Sequence, residues 1–517
     1  MPTNPRVSLW PYCFASLLAL FVLGGFWYGL GQPVHLADVA TPTHKLQCAS
    51  YTPFGKDQSP FDQPFTLRPA RMDADLALLA QRFKCIRTYS VTGLEALPAL
   101  ARKHGLKLLA GAWVSRNAED TAEEIEGLIK LANANPDVVQ SVIVGNEALL
   151  RKEVTSAQLV SLIEQVKARV EQPVTYADVW EFWLQHPEIA PAVDFLTIHL
   201  LPYWEDDPTG IDQALAQVAK VRRVFGNRFA PKDILIGETG WPSEGRQRET
   251  ARPSRVNQAL FIRGFVAMAE ENGWQYNLIE AFDQPWKRAS EGAVGGYWGL
   301  FDADRQDKGV LAGPVSNLPH WANWLALSAL LGLATLLLAG RPASLRAALI
   351  LPLLAAVGAT CIGLWGELAR VSSRYLGEWL WAAALISLNL LVLAHAALTL
   401  AARHGWRVRL FSWLQARAGW WLVAAGFAGA VTMLALVFDA RYRSFPSAAL
   451  LLPALVYLCR PVRGPRREIA LLALILGVGI APLLYQEGLH NLQAFGWAAV
   501  SLLLLGALWR SRRLPNQ

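Results

Sequence analysis

Two glutamates close two strand-like apolar runs, Val142-Ile143-Val144-Gly145-Asn146-Glu147 and Ile234-Leu235-Ile236-Gly237-Glu238-Thr239-Gly240-Trp241. A carboxyl pair presented in this way suits the retaining cleavage of a sugar acetal. One carboxyl stays protonated to donate to the leaving oxygen, while the other stays ionised to attack the anomeric carbon, with about 5–5.5 Å between them. Glu147 is assigned as acid/base and Glu238 as nucleophile, and Asn146 is expected to hydrogen-bond the sugar 2-hydroxyl as oxocarbenium character develops. The alternative, two solvated or salt-bridged surface glutamates, fits poorly because a wholly apolar run and a small residue precede each one.

The elements that must position this pair are short β runs alternating with longer helical stretches. The strand runs are rich in Val, Ile and Leu on both faces, the pattern of a parallel sheet under helices. Strands are predicted at 46–51, 85–89, 107–112, 139–145, 173–177, 194–199, 233–237 and 276–281. Helices are predicted at Ala74–Phe83, Leu94–His104, Thr121–Ala134, Ser156–Val170, Ile211–Phe225 and Pro253–Asn272. Eight such strands close a (β/α)8 TIM barrel, an α/β fold that suits the roughly 287 residues of segment 32–318.

Chemistry in such a barrel gathers at the C-terminal strand ends, and the polar and aromatic residues fall there. Tyr51 and Phe54 follow the first run; Arg87, Thr88 and Tyr89 the second; Trp113 the third; Asn146 and Glu147 the fourth. Tyr176, Asp178, Trp180 and Trp183 follow the fifth, His199, Tyr203 and Trp204 the sixth, Glu238 and Trp241 the seventh, and Glu280, Asp283 and Trp286 the eighth. Sugars present apolar C–H faces, so Tyr89, Tyr176, Tyr203, Trp204 and Trp286 are expected to stack on glucosyl units, with Arg87, Asp178 and Asp283 bonding hydroxyls. Tyr51, Trp241 and Glu280 complete the expected substrate-binding set. His199 either orients the nucleophile or satisfies a core hydrogen bond. Lys287 and Arg288 read as a solvated rim.

Four motifs carry a resemblance: Ile86-Arg87-Thr88-Tyr89, Val144-Gly145-Asn146-Glu147, Ile236-Gly237-Glu238-Thr239-Gly240-Trp241-Pro242-Ser243 and Glu280-Ala281-Phe282-Asp283-Gln284-Pro285-Trp286-Lys287. Together they cover most of 46–305, and the segment resembles the family 17 glycoside hydrolases, the 1,3-β-glucanases of clan A. The resemblance implies a TIM barrel, retention of configuration, Glu147 as proton donor, Glu238 as nucleophile and a β-1,3-linked glucan substrate. Neither a metal nor any other cofactor is expected, and no Cys/His cluster has metal-ligand spacing.

The rest of the chain differs in composition. Over 517 residues the hydrophobic fraction is 53% and the mean hydropathy +0.24, too apolar for a wholly soluble protein. Apolar stretches of membrane-spanning length are predicted at 9–30, 321–340, 347–366, 377–400, 419–438, 445–459, 468–485 and 491–509. The first follows Arg6, is longer than a secretory h-region and lacks a clean small-x-small cleavage site, so it reads as an uncleaved anchor. The organisation expected is an anchor over 1–31, a catalytic barrel over 32–318 and an all-α polytopic membrane domain over 319–517.

The formal net charge of +7 splits into −6 for residues 32–318 and +13 for the remainder, whose basic residues are all Arg. Arginine is thus concentrated at membrane loops, and nucleic acid is an unsuitable partner. Placing the N-terminus in the cytoplasm puts 13 Arg on inside loops and only Arg370, Arg374, Arg441 and Arg443 outside. Both termini are therefore expected in the cytoplasm and the barrel outside, which in a Gram-negative bacterium is the periplasm.

The membrane half departs from secreted plant and fungal members. It resembles a bacterial subgroup in which the barrel is tethered to a polytopic domain and acts as a β-glucan glucanosyltransferase on periplasmic or exported glucan. Transfer and hydrolysis share the glucosyl-enzyme and differ only in whether a sugar or water accepts; the aromatic residues after the fifth, sixth and eighth strands and the subgroup resemblance favour transfer, with an endo-1,3-β-glucanase as the alternative. A glucan-export or synthase role is the rival reading, with a membrane glucan synthase or export partner. Against a pump, Glu367, Glu378, Asp439, Glu468 and Glu487 fall near helix ends and only His395 lies within a span. Cys48 and Cys85, on adjacent predicted strands, are expected to be two buried thiols, because lateral neighbours in a parallel sheet suit a disulfide poorly.

Overall fold

In the computed structural model, which describes residues 9–39, 45–62 and 64–514, helix α1 (Trp10–Gly31) precedes the barrel. Eight strands follow: β1 (Leu46–Ser50), β2 (Phe83–Arg87), β3 (Lys107–Ala112), β4 (Val139–Asn146), β5 (Val174–Val179), β6 (Leu196–Leu200), β7 (Ile234–Thr239) and β8 (Gln275–Leu278). They pair in parallel and in sequence order, and β8 returns to β1 to close the barrel. Around and between them lie α2 (Pro69–Leu79), α3 (Leu97–His104), α4 (Ala118–Ala134), α5 (Ser156–Lys167), α6 (Trp180–Gln185), α7 (Ile211–Arg228), α8 (Arg255–Glu271) and α9 (Arg288–Glu291).

Local chemistry sets several of these boundaries. Pro69 opens α2 at a position that needs no N–H donor. Asn117 caps α4 and a Thr155/Gln158 capping box starts α5. β8 stops at Leu278, three residues short of its predicted end, because the backbone beyond it turns to pair with 298–301: Glu280 N–H donates to Trp298 O over 3.2 Å and Leu300 N–H to Glu280 O over 2.8 Å.

Successive strand residues face opposite ways, and the two faces have separate cores. Outward residues such as Ala49, Ile86, Val142, Val144, Ile198 and Ile236 pack on the helices. Cys48, Cys85, Leu109, Ile143, Ala177 and Leu235 form a second buried cluster, which fills the barrel interior. Within it the expectation of two thiols is overturned: Cys48 and Cys85 form a disulfide. The two residues stand directly opposite each other in the β1–β2 register with a Cα–Cα separation of 4.5 Å, inside the range a disulfide spans.

The remaining helices are α10 (Trp321–Ala339), α11 (Leu345–Ser372), α12 (Leu376–Leu400), α13 (Trp406–Phe438), α14 (Ser447–Cys459), α15 (Arg466–Glu487) and α16 (Leu492–Arg512). Among the described residues seven helices are long and apolar enough to cross a bilayer, α1 included, and α14 is shorter at 13 residues with Pro453 inside it. The chain divides into two compact units, one of Val34–Glu244 with Thr250–Val315 and one of Met1–Pro33, Gly245–Glu249 and Ser316–Gln517. Small residues let the helices of the second unit approach closely: a side chain at Gly358 would strike Leu393, and one at Gly419 the backbone of Arg463. Within this unit Arg246 pairs with buried Glu487, which also accepts from Asn491 Nδ2 over 2.7 Å.

Candidate active site

A strand alternates its side chains, so presenting several residues at one barrel mouth requires breaks in that alternation. Register shifts occur between Ile143 and Asn146, between Ile198 and His199 and between Ile236 and Thr239, at the ends of β4, β6 and β7. Such irregularities re-aim side chains beside functional sites. At β4 the backbone also enters the left-handed region, with φ 84° at Gly145 and 53° at Glu147. For a glutamate that conformation costs of order 1–3 kcal/mol, which the surroundings offset: Glu147 N–H donates to Ala177 O over 2.8 Å, and Arg151 N–H to Glu147 O over 2.9 Å.

The result is a convergence of Glu147, His199 and Glu238, one ligand-type atom of each lying within 4.8 Å of the others. Arg87, fully buried, is the hub. Its Nη2 donates to Asn146 Oδ1 over 2.6 Å, and its Nη1 to Gly237 O over 2.7 Å and Glu238 Oε1 over 3.3 Å. Gly237 permits this approach, since a side chain there would meet Thr197 at 2.3 Å and Arg87 Nη1 at 3.4 Å.

A chain of donors runs toward the same carboxylate. Asn277 Nδ2 donates to Ser50 Oγ over 2.8 Å, Ser50 Oγ lies 2.7 Å from the Tyr89 hydroxyl, and Tyr89 donates to Glu238 Oε1 over 2.8 Å. Burial and then the Glu238 charge push the Tyr89 phenol well above its ordinary range, so it remains a donor. Glu238 is thereby fixed through Oε1, and no described side chain bonds its Oε2.

His199 stands 2.8 Å from Glu147 Oε1 through Nδ1 and 3.4 Å from Arg87 Nη1 through Nε2. Because a guanidinium only donates, Nε2 is the acceptor and Nδ1 carries the proton that Glu147 accepts. Burial alone would raise the Glu147 carboxyl, but the His199 hydrogen bond and nearby positive charge, Arg151 among it, reverse that and hold it below the usual carboxylate range. Close by, burial and then the Glu147 charge push Asp178 up to about 6. A cation could find three ligand atoms here, but Arg87 already supplies the positive charge and occupies Glu238 Oε1.

Other expected binding residues are placed differently. Tyr51 is 1% exposed and donates to Asp75 Oδ2 over 3.2 Å, because Ser50 rather than Tyr51 takes the inward position. Tyr203 and Trp241 are fully buried in an aromatic cluster with Trp204 and Trp298, so neither offers a ring face to a sugar. Tyr176 is buried against Trp183, its hydroxyl bonded to Asp178. Asp283 is tied to Lys308 Nζ and Gly299 N–H, at 2.9 and 2.8 Å, and serves the fold. Glu280 binds Lys287 Nζ through both oxygens, at 2.9 and 2.8 Å. Lys287 is therefore no solvated rim: burial works against its charge, but Glu280 and Glu291 hold it above its ordinary value.

Trp204 and Trp286 are half-buried, as is Trp180, while Trp113 is exposed. Trp286 donates to Gln284 Oε1 over 2.9 Å and meets exposed Phe61 edge-on.

Sequence reasoning passed over Ser50, Asn277, Arg151 and Glu291. The first two were detectable as small polar residues at or near the C-terminal ends of their strands, and Arg151 by its i+4 spacing from Glu147. Glu291 carries no such signal; burial first of all pushes it up to about 7, and the charges of Glu147 and Glu238 add to the rise.

Residues 48–299 match the model of the BtgE/BtgC glycoside hydrolase domain. Similar proteins include the probable β-glucosidase btgE of Aspergillus flavus, 33% identical over 242 residues that make up 44% of this chain and 38% of that protein. A glucan 1,3-β-glucosidase of Schizosaccharomyces pombe is 28% identical over 251 residues, 46% of this chain and 77% of that protein. Among solved structures, a family 17 β-1,3-glucanosyltransferase from Rhizomucor miehei is 26% identical with a TM-score of 0.45, covering 51% of this chain and 96% of that one. The chain spans about two-fifths of the length of the btgE relatives, and these named relatives are fungal. Over residues 48–299 the barrel is thus similar to the BtgE/BtgC glycoside hydrolase domains.

Proposed function

We propose that the barrel acts on β-1,3-glucan with retention of configuration, through a glucosyl-enzyme at Glu238, and passes the glucosyl unit to a second sugar. The observation that carries this reading is the approach of Glu147 and Glu238 oxygens to within 4.8 Å, close to the separation of a nucleophile and acid/base that share one anomeric carbon. Glu238 Oε2 attacks that carbon while Glu147 gives its proton to the departing glycosidic oxygen. Glu147, now a carboxylate held by His199, then takes the proton of the incoming hydroxyl as the Glu238 ester bond breaks. With Asn146 Oδ1 taken by Arg87, its Nδ2 is the end available to the sugar 2-hydroxyl.

The substrate class is supported by the named activities of the relatives. Transfer over hydrolysis is supported by Trp113, Trp180, Trp204 and Trp286, which retain accessible surface beyond the ends of β3, β5, β6 and β8 and can hold an acceptor sugar against water. Incubation of the full chain in detergent with a short β-1,3-glucan tests this. Products longer than the input support transfer, and shorter products alone leave an endo-1,3-β-glucanase.

The apolar helices are read as crossing a bacterial inner membrane, with both termini cytoplasmic and the barrel in the periplasm, as in the tethered glucanosyltransferase subgroup. Support comes from the 13 Arg on one set of loops against four on the other and from the Cys48–Cys85 disulfide, a bond suited to an oxidising compartment. Reporter fusions at the loops between helices test the orientation; a cytoplasmic signal from the loop near Arg441 would reverse it.

A further inference from the structure

Arg151 lies four residues beyond Glu147 and meets the chain on both sides of it. Its Nη1 donates to the carbonyl of Asn146, its Nη2 to that of Val114 over 2.9 Å, and its own backbone N–H to the carbonyl of Glu147 over 2.9 Å. The guanidinium carbon lies over the Trp113 ring, 3.9 Å from its centroid, so the loops after β3 and β4 are joined through one side chain. Glu124 bonds Trp113 N–H over 3.0 Å and Val91 N–H over 3.1 Å and so fixes the indole end of this bracket. Between these anchors Glu147 holds its left-handed backbone, which a glutamate does not adopt unaided.

We infer that Arg151 is a positioning residue for Glu147, clamping its backbone between the loops after β3 and β4 and placing a guanidinium charge beside it. This deepens the reading of Glu147 as acid/base and rests on it. Lysine cannot replace the arginine: two carbonyls and an indole face are met at once by a planar fork, which a single ammonium does not reproduce. A neighbouring cation favours the ionised form of a carboxyl, so the charge and the clamp separate experimentally.

The test is the pH profile of kcat/KM of the full chain for Arg151→Gln, Arg151→Lys and Glu147→Gln, on a β-1,3-glucan oligosaccharide and on an aryl glycoside whose leaving group needs no proton. Arg151→Gln removes the cation, so the alkaline limb on the oligosaccharide should move up by about half a pH unit or more. Arg151→Lys should keep the limb in place yet lose about tenfold or more in kcat on the oligosaccharide, with far less lost on the aryl glycoside. Equal losses on both substrates with an unmoved limb in Arg151→Gln would make Arg151 a structural strut and overturn the inference. Should Arg151→Gln not fold, an Arg151→Lys variant with unaltered kcat on the oligosaccharide would overturn it too. Glu147→Gln separates the two levels: full activity on the oligosaccharide would sink the acid/base reading itself, whereas its loss with the aryl glycoside spared leaves only Arg151 in question.

Discussion

Arg87, at the end of β2, donates from Nη2 to Asn146 Oδ1 over 2.6 Å and so ties β2 to the strand that leads into the proposed acid/base. The same guanidinium reaches Glu238 and the carbonyl before it. Replacement by lysine keeps the charge but meets one partner at a time. Arg87→Lys is expected to lower kcat by about 100-fold or more, in line with a misplaced catalytic group. Steady-state kinetics of a variant with native circular dichroism checks this, and a wild-type kcat would remove Arg87 from the site.

Glu238→Gln should abolish turnover, losing about 1,000-fold or more, while leaving glucan binding intact. Glu147→Gln should lose about 100- to 10,000-fold on glucan yet retain cleavage of aryl glycosides. Both are read from initial rates on the paired substrates, and the roles would exchange if the selectivity appeared in the Glu238 variant.

His199 and neighbouring positive charge hold Glu147 below the usual carboxylate range. A proton donor with a lowered value is protonated only in acid, so kcat/KM on glucan should decline as pH rises toward neutrality and its optimum should lie on the acid side. His199→Ala removes the bond to Glu147 and should carry the alkaline limb upward. An optimum above neutral pH for the unmodified protein would contradict the assignment.

Asp178, pushed up to about 6 mainly by burial, links stability to pH. Its folded value lies above the unfolded value near 3.9, so its contribution is full below about pH 4 and is lost as pH rises through 6. The loss amounts to roughly 3 kcal/mol. In Asp178→Asn the melting temperature should fall less between pH 4.5 and 7.5 than in the unmodified chain, and scanning calorimetry at the two pH values decides it.

The Cys48–Cys85 bond closes a loop with a sequence separation of 37. Loop-closure entropy of that size corresponds to about 3–4 kcal/mol. A double replacement by serine should lower the denaturation midpoint accordingly, and an unchanged midpoint would mean the bridge contributes nothing to stability.

Much of this molecule was legible in its sequence. Short, nearly continuous apolar runs between helical stretches carried the eight strands, because a parallel strand buried on both faces has little choice of composition. Glu147, Glu238, Asn146, Arg87 and Tyr89 could be placed at the mouth since strand ends are where such a barrel exposes polar groups. The long apolar helices followed from length and hydropathy alone.

Which side chains face the mouth was decided by tertiary structure. Tyr51, Tyr203 and Trp241 stand at strand ends like the rest, yet β1 turns Ser50 inward and the two aromatics fill an internal cluster, a matter of strand register and packing that spacing does not record. The Asn277–Ser50–Tyr89 donor chain joins β8, β1 and the segment after β2, and the Cys48–Cys85 bond depends on a pairing only the closed sheet defines. Sequence fixes which strands can form and what chemistry they carry, because those follow from local composition. Register, left-handed turns and buried charge pairs depend on neighbours that only folding brings together.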